Sequence, residues 1–178
     1  FYNCKFLQEW NGSNLTFVIP GRLGGARTPG GQQANKLVYA DFKRLEAKLK
    51  TIADVGPVVQ KTTTLKYKNK TDKGVSILGT TANYPSIITS TDFEKGGFFS
   101  NTQERSGARV VIIGQTVKTT LFNNHSPMGQ KISIDTGKYT VIGVAKARGS
   151  TFGIDQDNSV IIPIAAAQRQ FGVNSLNA

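Results

Sequence analysis

Hydrophobic positions recur along the chain at two different periods, and the changes of period divide it into elements. Val38, Phe42, Leu45 and Leu49 stand four, three and four residues apart, which aligns them on one side of an α-helix. Asp41 with Arg44, and Glu46 with Lys50, fall at helical spacing as ion pairs on the outer face. The run Asp54-Val55-Gly56-Pro57 ends the helix, because proline drives the residue before it out of the helical region. From Val58 to Lys68 the period drops to two, with Thr63, Leu65 and Tyr67 on one face and Thr64, Lys66 and Lys68 on the other. That alternation predicts a half-buried strand. A turn over Asn69–Gly74 and a partner strand over Val75–Thr80 complete a predicted hairpin.

Upstream, Phe1–Trp10 reads as the tail of a helix, Asn14–Ile19 as a short strand closed by Pro20-Gly21, and Pro20–Asn35 as a glycine-rich loop. After Gly79 the texture changes. Tyr84–Phe99 is irregular or helical with a turn at Gly96-Gly97, and Ala108–Ile113 is a β-branched strand. Gln115–Phe122, with Val117 and Leu121 four apart, predicts a helix. Lys131–Asp135 and Lys138–Ala145 predict a second hairpin, and Ser159–Ile164 and Ala165–Phe171 a last strand and helix. The expected class is α+β, with a first part over residues 1–80 and a second over residues 81–172.

Composition narrows the field. The 178 residues suit one domain or two small ones sharing a core, and 38% hydrophobic with 19% charged residues excludes a disordered or fibrous chain. No apolar run approaches the roughly 18–20 residues that cross a bilayer as a helix. Lys and Arg number 22 against 11 acidic residues, a formal net charge of +11. The charge invites an anionic partner, but the basic residues are scattered, without the interleaved aromatics of a single-strand binder. Cys4 is the only cysteine, so no intrachain disulfide forms. No basic-then-apolar leader stands at the N-terminus, which leaves a cytoplasmic protein or one whose exporting segment lies outside this sequence.

The candidates for chemistry are few. Gly25-Ala26-Arg27-Thr28-Pro29-Gly30 has the glycine spacing of a phosphate-binding loop, but Gly31 and Gln32 stand where Lys and Ser or Thr are required. Asp155-Gln156-Asp157-Asn158-Ser159 opens like a calcium loop, yet Val160 and Ala166 occupy its glycine and glutamate positions. It reads as a turn before a strand, with a weak cation site as the alternative. His125, the only histidine, lies among turn formers, and one histidine with one cysteine does not make a usual zinc site. No paired carboxylates or Gly-x-Ser-x-Gly elbow are recognisable. The sequence therefore assigns no catalytic, cofactor-binding or metal-ligating residue. Three glycosylation-type triplets, at Asn11, Asn14 and Asn69, are short enough to arise by chance.

A series of short segments carries more information than any of these. Gly12-Ser13-Asn14-Leu15, Val18-Ile19-Pro20-Gly21, Gly79-Thr80-Thr81 with Tyr84, and Phe93-Glu94-Lys95-Gly96-Gly97-Phe98-Phe99 come first. Ala108–Gly114, Leu121-Phe122, Pro127-Met128-Gly129-Gln130-Lys131-Ile132, Tyr139–Val144 and Asp157–Pro163 follow. In this order they resemble the periplasmic core domain of MacB-like permeases, in the macrolide-exporter family of bacterial ABC transporters. Pro85 and Gly97 depart from the family's usual phenylalanine and arginine. In physical terms Gly114 marks a strand-to-helix turn, Pro127 and Gly129 frame the turn into the second hairpin, and Gly143 marks a close approach within a strand.

The resemblance implies a porter-like βαβ subdomain with a β-rich subdomain inserted into it. Residues 1–80 would be the first part of the porter-like half, 81–172 the insert, and 173–178 the start of the return, cut short of its last strand and helix. It also implies a non-enzymatic domain outside the membrane, without a cofactor, working with the transmembrane helices and cytoplasmic ATPase of its transporter. A homodimer and a periplasmic adaptor protein are the further partners implied, and nucleic acid is not among them. The function implied is to pass ATP-driven motion to export or to an envelope partner. The alternative is a basic binding module for anionic polymer or membrane surface.

Overall fold

The computed structural model describes residues 37–49, 54–88, 91–123, 125–151, 154–172 and 175–176. The expected elements within 1–35 lie outside the described residues. The strands are β1 (Leu37–Val38), β2 (Val59–Tyr67), β3 (Lys70–Thr80), β4 (Phe93–Gly96), β5 (Val110–Ile113), β6 (Lys131–Ile134), β7 (Gly137–Ala145), β8 (Ser150–Thr151), β9 (Ile154–Asp155), β10 (Ser159–Pro163) and β11 (Ser175–Leu176). The helices are α1 (Tyr39–Leu49), α2 (Tyr84–Ile87), α3 (Asn101–Ser106), α4 (Gln115–Phe122) and α5 (Ile164–Phe171).

Seven strands form one sheet in the order β4-β7-β5-β10-β3-β2-β6, and β6 pairs back onto β7. Six of them therefore close into a ring, and β4 extends β7 beyond the end of β6. The β3–β10 and β5–β7 pairs are parallel, and parallel neighbours need long crossovers. For β5 and β7 the crossover runs through α4 and β6. The sheet takes β2 and β3 from before residue 81 and the rest from beyond it. Separately, β1 pairs antiparallel with β11, Leu37 opposite Leu176 and Val38 opposite Ser175.

Alternation places Leu65, Val75, Ile77, Val111, Ile113, Ile132, Ile134, Val141, Val160 and Ile162 in one buried cluster. Tyr139 and Val144 of β7, Val117, Leu121 and Phe122 of α4 and Ala166 and Ala167 of α5 complete it. Burying each of these larger side chains contributes about 1.5–3 kcal/mol. A second cluster, with Phe99, Ile112 and Ile161 buried and Phe93, Phe98 and Ile142 packed on them, covers the opposite face of β4, β7, β5 and β10. Helix α1 docks through Phe42 on Val59 and Ile164, whereas Leu45 of the predicted stripe is 37% exposed.

The first hairpin corrects one expectation. Its turn is the two residues Lys68-Asn69, with Lys68 at φ 52°, and not Asn69–Gly74. Gly74 lies inside β3 at φ 75°, where the register slips between Thr63 and Thr64. An extra residue at a bulge reverses the alternation, so Asp72 and Val75 both become buried. The glycine read as part of a turn is a bulge. On α1, the Asp41–Arg44 pair forms at 3.9 Å, and Glu46 pairs with Lys43 at 2.8 Å; residue 50 lies outside the described residues.

Candidate functional site

The turn before β10 is built around Asp157, a buried residue. Its two carboxylate oxygens accept from the backbone N–H groups of Arg148, at 2.8 Å, and Gly149, at 3.0 Å. Asp155 accepts from the Asp157 N–H at 2.8 Å and from the Thr116 hydroxyl at 2.7 Å. The Thr116 hydroxyl, then the backbone donors, hold the Asp155 carboxyl below the usual carboxylate value. The side chains that resembled the opening of a calcium loop thus tie the 146–149 segment to the start of β10 and to α4. Among the described residues no group of three or more His, Cys, Asp or Glu side chains converges as a metal site.

His125 is exposed and borders a surface cleft with Lys95, Lys118, Thr119, Asn123, Ser126 and Pro127. Beside it Glu94 accepts from Lys118 Nζ at 2.7 Å and from Gln115 Nε2 at 2.5 Å. These two bonds, Lys118 first, hold the Glu94 carboxyl below its ordinary value. Gln115 also donates to the Ala145 carbonyl at 2.8 Å, so the cluster fastens α4 across β4 and β7. No carboxylate is among the residues lining the cleft with His125. The glycine-rich loop and Cys4 lie outside the described residues.

Two features were not visible in sequence. Asp72 is buried, its Oδ2 has no hydrogen-bond partner, and burial, then the charge of Asp155, raises its carboxyl above the ordinary value. Only the register slip at Gly74 turns it inward. Gln170 accepts from the Tyr139 hydroxyl and donates to the Ile134 carbonyl at 2.5 Å, latching α5 onto the second hairpin.

Gly143, expected at a close approach, stands at one, and so does Gly114 at its strand-to-helix turn. A β-carbon on Gly114 would lie 2.2 Å from the Asp157 carbonyl oxygen, and one on Gly143 would lie 2.7 Å from that of Gly97. Gly79 faces α5, where an added β-carbon would meet that of Ala167 at 2.7 Å. Gly129, at φ 74°, donates to Val141 at 2.8 Å and turns the chain into β6.

Residues 5–177 match the sequence profile of the MacB-like periplasmic core domain. The chain belongs to that family. The macrolide export ATP-binding/permease protein MacB of Bdellovibrio bacteriovorus is 30% identical over 170 residues, 94% of this chain and 26% of its own length. The pyoverdine export ATP-binding/permease protein PvdT of Pseudomonas fluorescens is 33% identical over 167 residues, covering 92% and 24%. The chain thus spans about a quarter of the length of these relatives. Among solved structures, the periplasmic region of MacB from Actinobacillus actinomycetemcomitans superposes with a TM-score of 0.70 at 19% identity, covering 82% of this chain and 64% of that one. The extracellular domain of the noncanonic ABC-type transporter YknZ from Gram-positive bacteria gives 0.69 at 21% identity, covering 79% and 70%.

The MacB-like fold is therefore shared, as a mixed α/β, sheet-rich domain, and the chain is a MacB-like periplasmic core domain. No helix among the described residues is long and apolar enough to cross a membrane.

Proposed function

We propose that this domain passes the motion of its transporter's transmembrane helices, driven by a cytoplasmic ATPase, to work done outside the membrane. The domain itself is not an enzyme and carries no cofactor. The work is export, or action on an envelope partner such as an adaptor protein, by a pair of identical domains in the assembled transporter.

The observation that carries this reading is the β1–β11 pair. It brings residues 37–38 beside residues 175–176, so the segments before and after the ring are joined to each other. A closed, well-packed sheet resists bending, because protein interiors are dense and weakly compressible. Displacement at a joined entry and exit then moves the body as a unit. The same pair supports the reading that residues 173–178 begin the return to a porter-like half whose first part precedes the ring; β2 and β3, expected from sequence to belong to that half within residues 1–80, pair with strands from 81–172.

Replacing residues 59–172 by a flexible Gly/Ser linker in the full-length transporter tests the proposal. Export of a macrolide or of pyoverdine, the cargoes named for the relatives, should be lost while ATP hydrolysis continues. Unchanged export, or ATP hydrolysis by the present chain alone, would overturn it.

A further inference from the structure

The outward surface of the β3–β2–β6–β7 stretch is basic and almost free of acid. Residues directly opposite in an antiparallel ladder point to the same face. Lys66 stands opposite Thr71 on one side and Ser133 on the other, and Ser133 stands opposite Lys138. Lys73 stands opposite Thr64, and Lys131 opposite Thr140. All four lysines are exposed, while the intervening Leu65, Ile132 and Tyr139 are buried on the other face. With neighbouring strands roughly 4.8 Å apart, Lys66 and Lys138 stand about 10 Å apart.

Among the described residues none of the four takes part in an ion pair. The salt bridges among the described residues join Lys43 to Glu46, Arg44 to Asp41, Lys118 to Glu94 and Lys146 to Asp92. One carboxylate borders the face: Asp135 lines a depression with Lys66 and Lys73 and accepts from the Thr63 hydroxyl at 2.5 Å. The face therefore offers ammonium and hydroxyl donors on a sheet, in a chain whose formal net charge is +11.

We propose that this face docks on a bilayer surface carrying anionic phospholipids. Protein interfaces draw their affinity from Trp, Tyr and Arg anchors, and single-stranded nucleic acid needs aromatic platforms. This face has neither; it carries lysines and hydroxyls, with Asp135 at its edge. Lysines near an anionic bilayer each contribute attraction without needing a pocket. Membership of a permease family supplies the proximity, since such a domain works beside a membrane. The inference is independent of the motion-transmitting role: docking sets how the domain lies on the surface, whatever it then transmits.

The test is co-sedimentation of the 178-residue chain with vesicles of phosphatidylglycerol mixed with phosphatidylcholine, and with phosphatidylcholine alone, over a salt series. One variant carries Lys66→Gln, Lys73→Gln, Lys131→Gln and Lys138→Gln. A charge-matched control carries Lys43→Gln, Lys48→Gln, Lys95→Gln and Lys146→Gln. All eight positions are exposed, and thermal melting verifies that both variants fold. Binding to the anionic vesicles alone is expected, weakening with salt as exposed charges are screened. At roughly five-fold per lysine, the face variant should bind on the order of several-hundred-fold more weakly, with the control falling far less. Equal losses in the two variants would show that net charge, not this face, drives binding, and would overturn the proposal. So would absence of vesicle binding, including the case in which the face variant loses binding only to an acidic protein such as polyglutamate.

Discussion

Gly114 lies directly against the backbone of Asp157: a β-carbon there would stand 2.2 Å from the Asp157 carbonyl oxygen. The Gly114 N–H donates to Ser159 at 2.9 Å, so the end of β5 and the start of β10 are held together at one point. Gly114→Ala has backbone, not a flexible side chain, to displace. It should cost about 2–3 kcal/mol, at the upper end of overpacking changes, read as a lower urea midpoint with the slope unchanged.

Asp157 makes the same junction from its side chain. Asp157→Ala leaves the N–H groups of Arg148 and Gly149 without their acceptor, and losing a buried partner costs about 1–3 kcal/mol. Asp157→Asn keeps one acceptor oxygen and should recover part of the loss. If calcium at millimolar concentration stabilised the wild type and not Asp157→Asn, the turn would be a cation site after all.

Gly79 and Ala167 form a pair that a double-mutant cycle can resolve. Gly79→Ala pushes against the Ala167 β-carbon, 2.7 Å away, and should cost about 1–3 kcal/mol. Ala167→Gly alone costs about 1 kcal/mol as a helix-interior glycine. The double variant should be more stable than the sum of the two predicts. Strict additivity would show that α5 does not rest on Gly79.

Asp72 gives the fold a pH dependence of definite sign. Burial, then Asp155, raises its carboxyl above the ordinary value of 3.8, so the native state holds this proton to higher pH than the unfolded chain. The contribution is intact below the ordinary value and is lost as pH climbs from there through the raised one. Asp72→Asn removes the loss and should stabilise the protein at pH 7 by about 1 kcal/mol, with no gain at pH 3. Urea melts of both proteins across that range provide the measurement.

Local elements were legible in sequence. Gln115–Phe122 forms the predicted helix, and the alternation from Thr63 to Tyr67 buries the expected face. Gly114 sits at the predicted strand-to-helix turn and Gly143 at the predicted close approach. What sequence could not supply was pairing between distant strands. Nothing in Ser76–Thr80 announces that Ser159–Pro163 lies parallel to it, because a fully buried strand is apolar on both faces whatever its neighbour. The short helix Asn101–Ser106 was missed as well, having no buried residue to create a stripe, although its capping box of Ser100 and Gln103 was a readable signal. The inward turn of Asp72 depended on one glycine acting as a bulge. The candidate chemistry was legible mainly as its scarcity, and the lysine face emerged only when register set four scattered residues on one surface.

The motion-transmitting role is tested most directly by a distance measurement in the full-length transporter. A spin label at Asn101→Cys, an exposed position, in a Cys4→Ser background would report the separation of two copies in a membrane. Trapping ATP in the cytoplasmic ATPase is expected to shift that separation, and release of the products to restore it. The same separation with and without ATP, in a transporter that hydrolyses ATP, would contradict the proposed function.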